Sequence, residues 1–180
     1  MPQELEAKWK VVDFGPVRRA LAAAGAEFRG AVRQSDVFFD RADGSLRAAD
    51  RALRLRRLDV IDAPAGGQSD GWLLTAKGPR GHCDRAKVRQ EIQTAVADGE
   101  AVRAILSGLG LSEQARLEKR RASYALDECL VELDEVPPLG CFVEIEAPDE
   151  ARLEAMRSRL GLDGPAIVES YLKLMEARDG

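Results

Sequence analysis

The sequence predicts an α+β protein in which an eight-stranded antiparallel β-barrel, or a strongly curled sheet, carries a few flanking helices. Segments of alternating apolar and charged residues, the pattern of strands with one buried face, outnumber the segments with helical periodicity. A chain of 180 residues with 45% hydrophobic residues also has the usual size of one globular domain. We see no internal repeat and no second domain, so we expect residues 1–180 to form a single domain.

The strand predictions rest on strict alternation, which places every second side chain on the same face. Gly, Pro and Asp cluster in two of the segments between them, 61–70 and 78–85, which predicts loops there. The eight predicted strands are residues 2–11, 27–39, 51–60, 70–77, 86–95, 115–125, 127–135 and 141–147.

The helix predictions rest on terminal signals and on apolar stripes. Pro16 suits a first helical turn, Gly25 can end that helix, and Gly161 can end a later one that acidic residues open. The four predicted helices are residues 16–26, 98–110, 148–161 and 165–177.

Composition excludes several classes of protein. Lys and Arg total 27 against 31 Asp and Glu, a net charge of −4 that argues against a general nucleic-acid binder. The N-terminus has no apolar signal core, and no segment is apolar enough for a membrane helix, so we expect a cytoplasmic protein without a membrane partner. A single histidine, His82, and three cysteines without a C-x-x-C pair exclude a multi-histidine site and a zinc ribbon.

The charged residues of the predicted strands share one face, and their sign changes along the chain. The first strand and the last two are acidic, while the middle strands are mainly basic. A sheet with its charged face in water explains this pattern. If the sheet closes, however, the charges line its interior. Clustered carboxylates then call for a hard cation, Mg²⁺ or Mn²⁺, and clustered Arg and Lys call for a polyanion such as a triphosphate.

Seven motifs in order then resemble a known family. They are ELEAK (4–8), SDVFFD (35–40), LRLR (53–56), LLTAKGP (73–79), RQE (89–91), EKRR (118–121) and LDEVPPLGCFVEIE (133–146). With the terminal SYLKLM they make the chain similar to the CYTH family, also called triphosphate tunnel metalloenzymes, in its bacterial class IV adenylyl cyclase-like branch. The resemblance spans about residues 3–175 and implies an eight-stranded antiparallel tunnel.

The resemblance also implies roles for particular residues. Glu6 and Glu146 match the best metal-ligand positions, with Glu4, Asp134 and Glu144 as further candidates for Mg²⁺ or Mn²⁺. Glu6, Lys77 and Glu146 are the expected catalytic residues. The expected triphosphate-binding residues are Lys8, Arg54, Arg56, Lys77, Arg89, Lys119 and Arg121. Relatives further suggest a homodimer, although the sequence itself does not give the oligomeric state.

One motif departs from the family pattern. Relatives that cleave thiamine triphosphate carry a tyrosine in the second motif, beside the lysine that Lys77 matches, whereas this chain has Phe38 and Phe39. The missing phenol predicts poor hydrolysis of thiamine triphosphate.

Three functions stay open at this point: cyclisation of ATP to cAMP and pyrophosphate, hydrolysis of an inorganic or organic triphosphate, and non-catalytic binding of a polyphosphate or nucleotide. The sequence assigns no role to His82 or Lys173, and it suggests packing for Tyr171.

Overall fold

The computed structural model describes residues 5–81 and 88–179, and it shows an eight-stranded antiparallel sheet with five helices. The strands are β1 (Leu5–Val11), β2 (Glu27–Arg41), β3 (Ala52–Asp62), β4 (Gly71–Gly81), β5 (Val88–Val96), β6 (Leu111–Leu126), β7 (Cys129–Val136) and β8 (Gly140–Ala147). The helices are α1 (Gly15–Ala23), α2 (Ser45–Ala48), α3 (Gly99–Gly108), α4 (Glu150–Arg159) and α5 (Tyr171–Asp179). The predicted fold class is therefore confirmed, and each of the eight predicted strands has a counterpart, although residues 2–4 and 86–87 lie outside the described residues. The predicted loop 78–85 is wrong for its first part, because β4 continues to Gly81.

The strand order is β1-β8-β7-β6-β2-β3-β4-β5, and every neighbouring pair is antiparallel. Strands β1 and β5 form the two ends of this order, and within residues 5–81 and 88–179 no pairing joins them, so the sheet is curled without a closed ladder. The free edge of β1 carries one further bridge, in which the Ile167 amide donates to the Lys8 carbonyl over 2.8 Å.

Alternation along the strands gives the sheet an apolar face and a charged face. On the apolar side, α1 and α4 pack against β1, β7 and β8 around Trp9, Val143 and Ile145. Helix α3 covers a second cluster around Phe39 and Leu55. Helix α5 instead packs at one end of the charged face, against Leu117, Val136 and Phe142 on β6, β7 and β8.

Helix ends follow local signals in the sequence. The Asp98 carboxylate accepts a hydrogen bond from the Ala101 amide at the start of α3, and Asp149 does the same for the Arg152 amide at the start of α4. Gly25 follows α1 with a φ of 73°, in the left-handed region that glycine adopts without steric cost. These interactions place the helices as the sequence predicts.

Two helices differ from prediction. The predicted helix 165–177 begins only at Tyr171, because Ile167 pairs with the edge of β1 and holds the preceding segment extended. The short helix α2 was not predicted. Its first-turn amides, Leu46 and Arg47, donate to the Asp40 carboxylate, a contact between residues six and seven positions apart that periodicity does not indicate.

Candidate functional site

The register of the strands brings most of the predicted site residues onto one face. Lys8 on β1 lies opposite Glu144 on β8, which lies opposite Glu132 on β7. Arg121 on β6 lies opposite Asp134, and Arg54 on β3 lies opposite Thr75 on β4. The charged and polar residues described on this face are Glu6, Lys8, Gln34, Asp36, Arg54, Arg56, Thr75, Lys77, Glu91, Gln93, Lys119, Arg121, Glu132, Asp134, Glu144 and Glu146.

Most of these charges are buried, so the face is an interior surface. Side-chain exposure is 2% for Lys8, 10% for Arg56 and 0% for Asp134. Buried ions are costly unless they are paired or meet a ligand. The alternative in which the charged face is simply solvated is therefore wrong for these residues.

Asp36 on β2 binds Arg56 on the charged face, and it was not predicted as a site residue. The Arg56 guanidinium donates two hydrogen bonds to the Asp36 carboxylate, at 2.6 and 2.7 Å. Burial alone would raise the pKa of Asp36, but Arg56, together with Arg54 and Lys119, lowers it below its ordinary value. Asp36 thus fixes the Arg56 fork in place. Alternation along β2 indicates which face Asp36 occupies, but only the pairing of β2 with β3 shows that Arg56 is its partner.

A second network surrounds Arg121. Its guanidinium contacts Asp134, Glu132 and Glu144, and its Nε–Asp134 Oδ1 distance is 2.6 Å. Lys119 Nζ also donates to Asp134 Oδ2 over 2.7 Å. Against the effect of burial, these cations lower the pKa of Asp134, and Arg121, Lys119 and Lys8 hold that of Glu144 well below its ordinary value.

Asp134 and Glu144, predicted as possible metal ligands, therefore contact cationic side chains in the structure. Lys8 Nζ is 3.0 Å from Glu144 Oε1, and Asp134 accepts from both Lys119 and Arg121. To bind a metal ion, either carboxylate would have to give up part of these contacts. Their ligand role stays a prediction.

Arg54 has fewer partners than Arg56 and Arg121. Its Nε is buried without a hydrogen-bond acceptor among the described residues, one terminal nitrogen is 3.4 Å from Thr75 Oγ1, and the other is 3.7 Å from Asp36. Burial and the nearby Arg56 charge lower the pKa of Arg54 to about 10. An anion bound beside Arg54 would satisfy its Nε and offset the repulsion between the cations.

Lys77 belongs to the same cationic group. Burial and Arg54 lower its pKa, although its ammonium forms an ion pair with Glu91 on β5. Burial and Arg121 likewise lower the pKa of Lys119. Several cations on one face thus destabilise one another, which is the electrostatic condition for binding a polyanion.

The acidic end of the site has an excess of carboxylates over cations. Glu6 and Glu146 are opposite each other on β1 and β8. Burial, with the carboxylates of Glu132 and Glu6, raises the pKa of Glu146 to about 8. A cation between these carboxylates would favour the charged form of Glu146.

The carboxylate pair fits a magnesium-type ion. Among the described residues no group of three His, Cys, Asp or Glu is arranged to hold a metal ion. Mg²⁺ commonly uses one or two protein carboxylates and completes its shell with water and substrate phosphate oxygens. Two glutamates beside a surface of clustered cations suit that requirement.

Some predicted residues cannot be placed. Glu4 and His82 lie outside the described residues, and so does the side chain of Arg89, although its backbone belongs to β5. Lys173 is exposed on α5, away from the charged face.

The two phenylalanines occupy different environments. Phe38 is opposite Arg54 on the charged face, and Phe39 points into the apolar cluster of Leu55 and Leu106. The expectation that both lie beside Lys77 is wrong for Phe39, because successive strand residues face opposite sides.

Tyr171 is a site residue that the sequence reasoning assigned only to packing. Its hydroxyl donates to Asp134 Oδ2 over 2.9 Å. Burial, Glu144 and Asp134 raise the pKa of Tyr171 far above its ordinary value, so the phenol stays protonated. In the structure the hydroxyl acts as a hydrogen-bond donor to Asp134.

Comparison with known proteins agrees with the fold. The family model described as the CYTH domain matches residues 2–159. MJ0240 of Methanocaldococcus jannaschii, provisionally named an adenylate cyclase, is 32% identical over 144 residues, which are 79% of this chain and 75% of that protein. Adenylate cyclase CyaB of Aeromonas hydrophila is 29% identical over 184 residues, covering 96% of this chain and 88% of the relative.

Solved structures show the same architecture. PH1819 from Pyrococcus horikoshii superimposes with a TM-score of 0.82 at 26% identity, over 97% of this chain and 99% of the other. HpAC1 from Hippeastrum, an assigned adenylyl cyclase described as having a dominant triphosphatase activity, superimposes with a TM-score of 0.75 at 17% identity, over 99% and 96% of the two chains. At that identity the likeness supports the fold. The described residues contain no helix long and apolar enough to cross a membrane.

Proposed function

The chain belongs to the CYTH family, and we propose that it is a divalent-metal-dependent enzyme acting on a triphosphate, with cyclisation of ATP to cAMP and pyrophosphate as its reaction. The observation that supports this proposal best is a buried face on which several cationic side chains lie beside the Glu6–Glu146 pair. The name of the Aeromonas hydrophila relative favours cyclisation over other triphosphate chemistry.

The cations of the charged face would bind the phosphate chain. Arg54 offers a buried Nε for which the described residues supply no acceptor. Asp36 holds the Arg56 guanidinium in place through its Nε and one terminal nitrogen, and the other terminal nitrogen would be left to face a ligand. Lys77, Lys119 and Arg121 add charge on neighbouring strands. Charge-assisted hydrogen bonds to phosphoryl oxygens contribute roughly 1.5–3 kcal/mol each, so a few such contacts account for specific binding.

Glu6 and Glu146 would hold Mg²⁺ or Mn²⁺, and Glu4 is a further candidate. The bound ion would supply Lewis-acid stabilisation of charge that develops on the phosphoryl oxygens. In the cyclase reaction the ribose 3′-hydroxyl attacks the α-phosphorus and pyrophosphate leaves. The protein contributes by neutralising the leaving pyrophosphate through the lysines and arginines, and by excluding bulk water from the buried face.

Hydrolysis of a triphosphate is the second candidate. The described charged face presents many cations suited to phosphate, but only Gln34 and Gln93 carry amides that could read the edge of a purine. A site built mainly for phosphate would also bind inorganic triphosphate, with water as the nucleophile. A non-catalytic polyphosphate-binding module is the remaining alternative. The Glu6–Glu146 pair argues against it, because a module that only binds has less need for metal ligands.

The deciding experiment separates the products. The protein is incubated with ATP and with tripolyphosphate, each with Mg²⁺ or Mn²⁺, and cAMP, pyrophosphate and orthophosphate are measured separately. Cyclase activity yields cAMP and pyrophosphate in equal amounts from ATP. Orthophosphate without cAMP supports the triphosphatase. Tight binding without any product supports the binding module, and absence of binding to both compounds contradicts all three.

A further inference from the structure

Tyr171, the first residue of α5, reaches from the C-terminal helix into the charged face. Its side chain is 6% exposed, and its hydroxyl donates to Asp134. The ring also contacts Phe142 edge-to-face, with centroids 5.1 Å apart and planes at 72°. The ring orientation is therefore set by an aromatic neighbour, a hydrogen bond and the packing of α5.

The same ring contacts two ammonium groups from strands that are not neighbours in the sheet. Lys8 Nζ on β1 is 4.6 Å from the ring centroid, and Lys119 Nζ on β6 is 5.0 Å from it. Both distances are within the range of cation–π attraction, which is stronger where water is excluded. Lys8 and Lys119 are 2% and 5% exposed, so both contacts are formed in a desolvated environment.

Each ammonium also has carboxylate partners. Lys8 is 3.0 Å from Glu144 and 3.7 Å from Glu6, and Lys119 is 2.7 Å from Asp134. A lysine chain is flexible and its ammonium is a point charge, so carboxylate partners alone do not determine where the charge sits. The ring adds a further contact to each lysine, and the hydroxyl holds the Asp134 carboxylate to which Lys119 is bound.

We propose that Tyr171 is a positioning residue that holds the Lys8 and Lys119 ammonium groups in the arrangement that receives the triphosphate. It does so with its ring on both lysines and with its hydroxyl on Asp134. This inference rests on the proposed triphosphate site and adds a determinant from outside the sheet. The helix that carries Tyr171 thus contributes to ligand affinity as well as to packing.

The test compares three variants of the full chain. Tyr171→Leu removes the ring and the hydroxyl, and Tyr171→Phe keeps the ring. Leu174→Ala, on the same helix and in the same apolar cluster, is the matched control, since it removes packing near Leu117 and Phe142 and leaves the Tyr171 side chain unchanged. Tripolyphosphate affinity is measured by calorimetry, and thermal unfolding is followed in parallel.

We expect Tyr171→Leu to weaken tripolyphosphate binding by about tenfold or more, as the loss of two buried cation–π contacts implies. Tyr171→Phe should lose no more than about threefold, and Leu174→Ala should bind as the wild type does even where its unfolding temperature falls. Equal affinities for Tyr171→Leu and Leu174→Ala would overturn the proposal. So would a loss in Tyr171→Phe as large as that in Tyr171→Leu.

A measurement without ligand separates this inference from the proposed function. The aromatic ring should shift the ε-methylene NMR signals of Lys8 and Lys119 upfield in the wild type and in Tyr171→Phe, but not in Tyr171→Leu. Lysine signals that are the same in all three proteins would overturn the positioning role. If the ring shifts are present and the wild type binds neither tripolyphosphate nor ATP, the triphosphate function fails while the ring–lysine contacts stand.

Discussion

Glu6 and Glu146 are cross-strand partners on β1 and β8, and burial together with the Glu132 and Glu6 carboxylates raises the pKa of Glu146 to about 8. This local excess of carboxylates lies on the same face as the cationic group of Arg54, Arg56 and Lys77. The site is therefore divided into an acidic end suited to a cation and a basic part suited to a polyanion.

The first prediction concerns the metal ion. Glu6→Gln and Glu146→Gln should each lower turnover by about 100-fold or more, because mutation of even the outer partners of metal ligands costs about 10–100-fold. The fold should survive, since each change removes repulsion between the carboxylates. Turnover is measured against Mg²⁺ and Mn²⁺ concentration. Glu118→Gln, exposed on the opposite face of β6, is the control and should retain wild-type activity. Full activity of the wild type in excess EDTA would refute the metal requirement.

The second prediction uses the different partners of the arginines. Arg54→Ala should weaken tripolyphosphate binding by about 1.5–3 kcal/mol with little loss of stability, because within residues 5–81 and 88–179 the structure gives the Arg54 Nε no acceptor. Arg54→Lys should restore only part of the affinity, since lysine lacks the planar fork. Calorimetry checks both, with Arg57→Ala as a control on the exposed side of β3. Unchanged binding in Arg54→Ala would rule out this residue as a phosphate ligand.

The third prediction separates Arg56 from Arg54. Arg56→Ala removes both hydrogen bonds to the buried Asp36 carboxylate, so it should lower the free energy of unfolding by about 3–5 kcal/mol as well as weaken binding. Urea unfolding at neutral pH measures this cost. A variant as stable as the wild type would show that the Asp36–Arg56 pair does not support the fold.

The fourth prediction follows from the lowered pKa of Asp36. A carboxylate whose pKa is lower in the folded protein than in the unfolded chain stabilises the fold above its unfolded pKa, about 3.9, and this contribution is lost as the pH falls through the lower folded value. The wild type should therefore exceed Asp36→Asn in stability at pH 7, and the difference should shrink below about pH 4. Urea unfolding of both proteins from pH 7 to pH 3 checks the sign. A difference that stays constant over that range would contradict the assignment.

The fifth prediction concerns the absent phenol. The wild type should hydrolyse thiamine triphosphate poorly, and Phe38→Tyr should gain this activity because it adds a hydroxyl to the charged face opposite Arg54. Phe39→Tyr is the matched control, since its hydroxyl would enter the apolar cluster of Leu55 and Leu106. Release of orthophosphate from thiamine triphosphate, ATP and tripolyphosphate is compared. A wild type that prefers thiamine triphosphate would show that the phenol is dispensable.

Period-two alternation was enough to determine which side chains share a face. It placed Glu6 with Lys8 and Arg54 with Arg56 before any pairing was known, because successive strand residues point to opposite sides whatever strand lies beside them. The order of the sequence motifs also indicated the CYTH family. The same rule places Phe38 and Phe39 on opposite faces. The motif resemblance had grouped both with Lys77, and this was wrong for Phe39.

Only the tertiary structure decided which charges meet. Asp36 and Arg56 are 20 residues apart and Tyr171 and Asp134 are 37 apart, and such contacts depend on strand register and on where a helix begins. The start of α5 at Tyr171 depends on Ile167 pairing with the edge of β1, a contact between distant parts of the chain. Local periodicity carries no information about such partners, because the free energy that selects them comes from long-range burial and ion pairing.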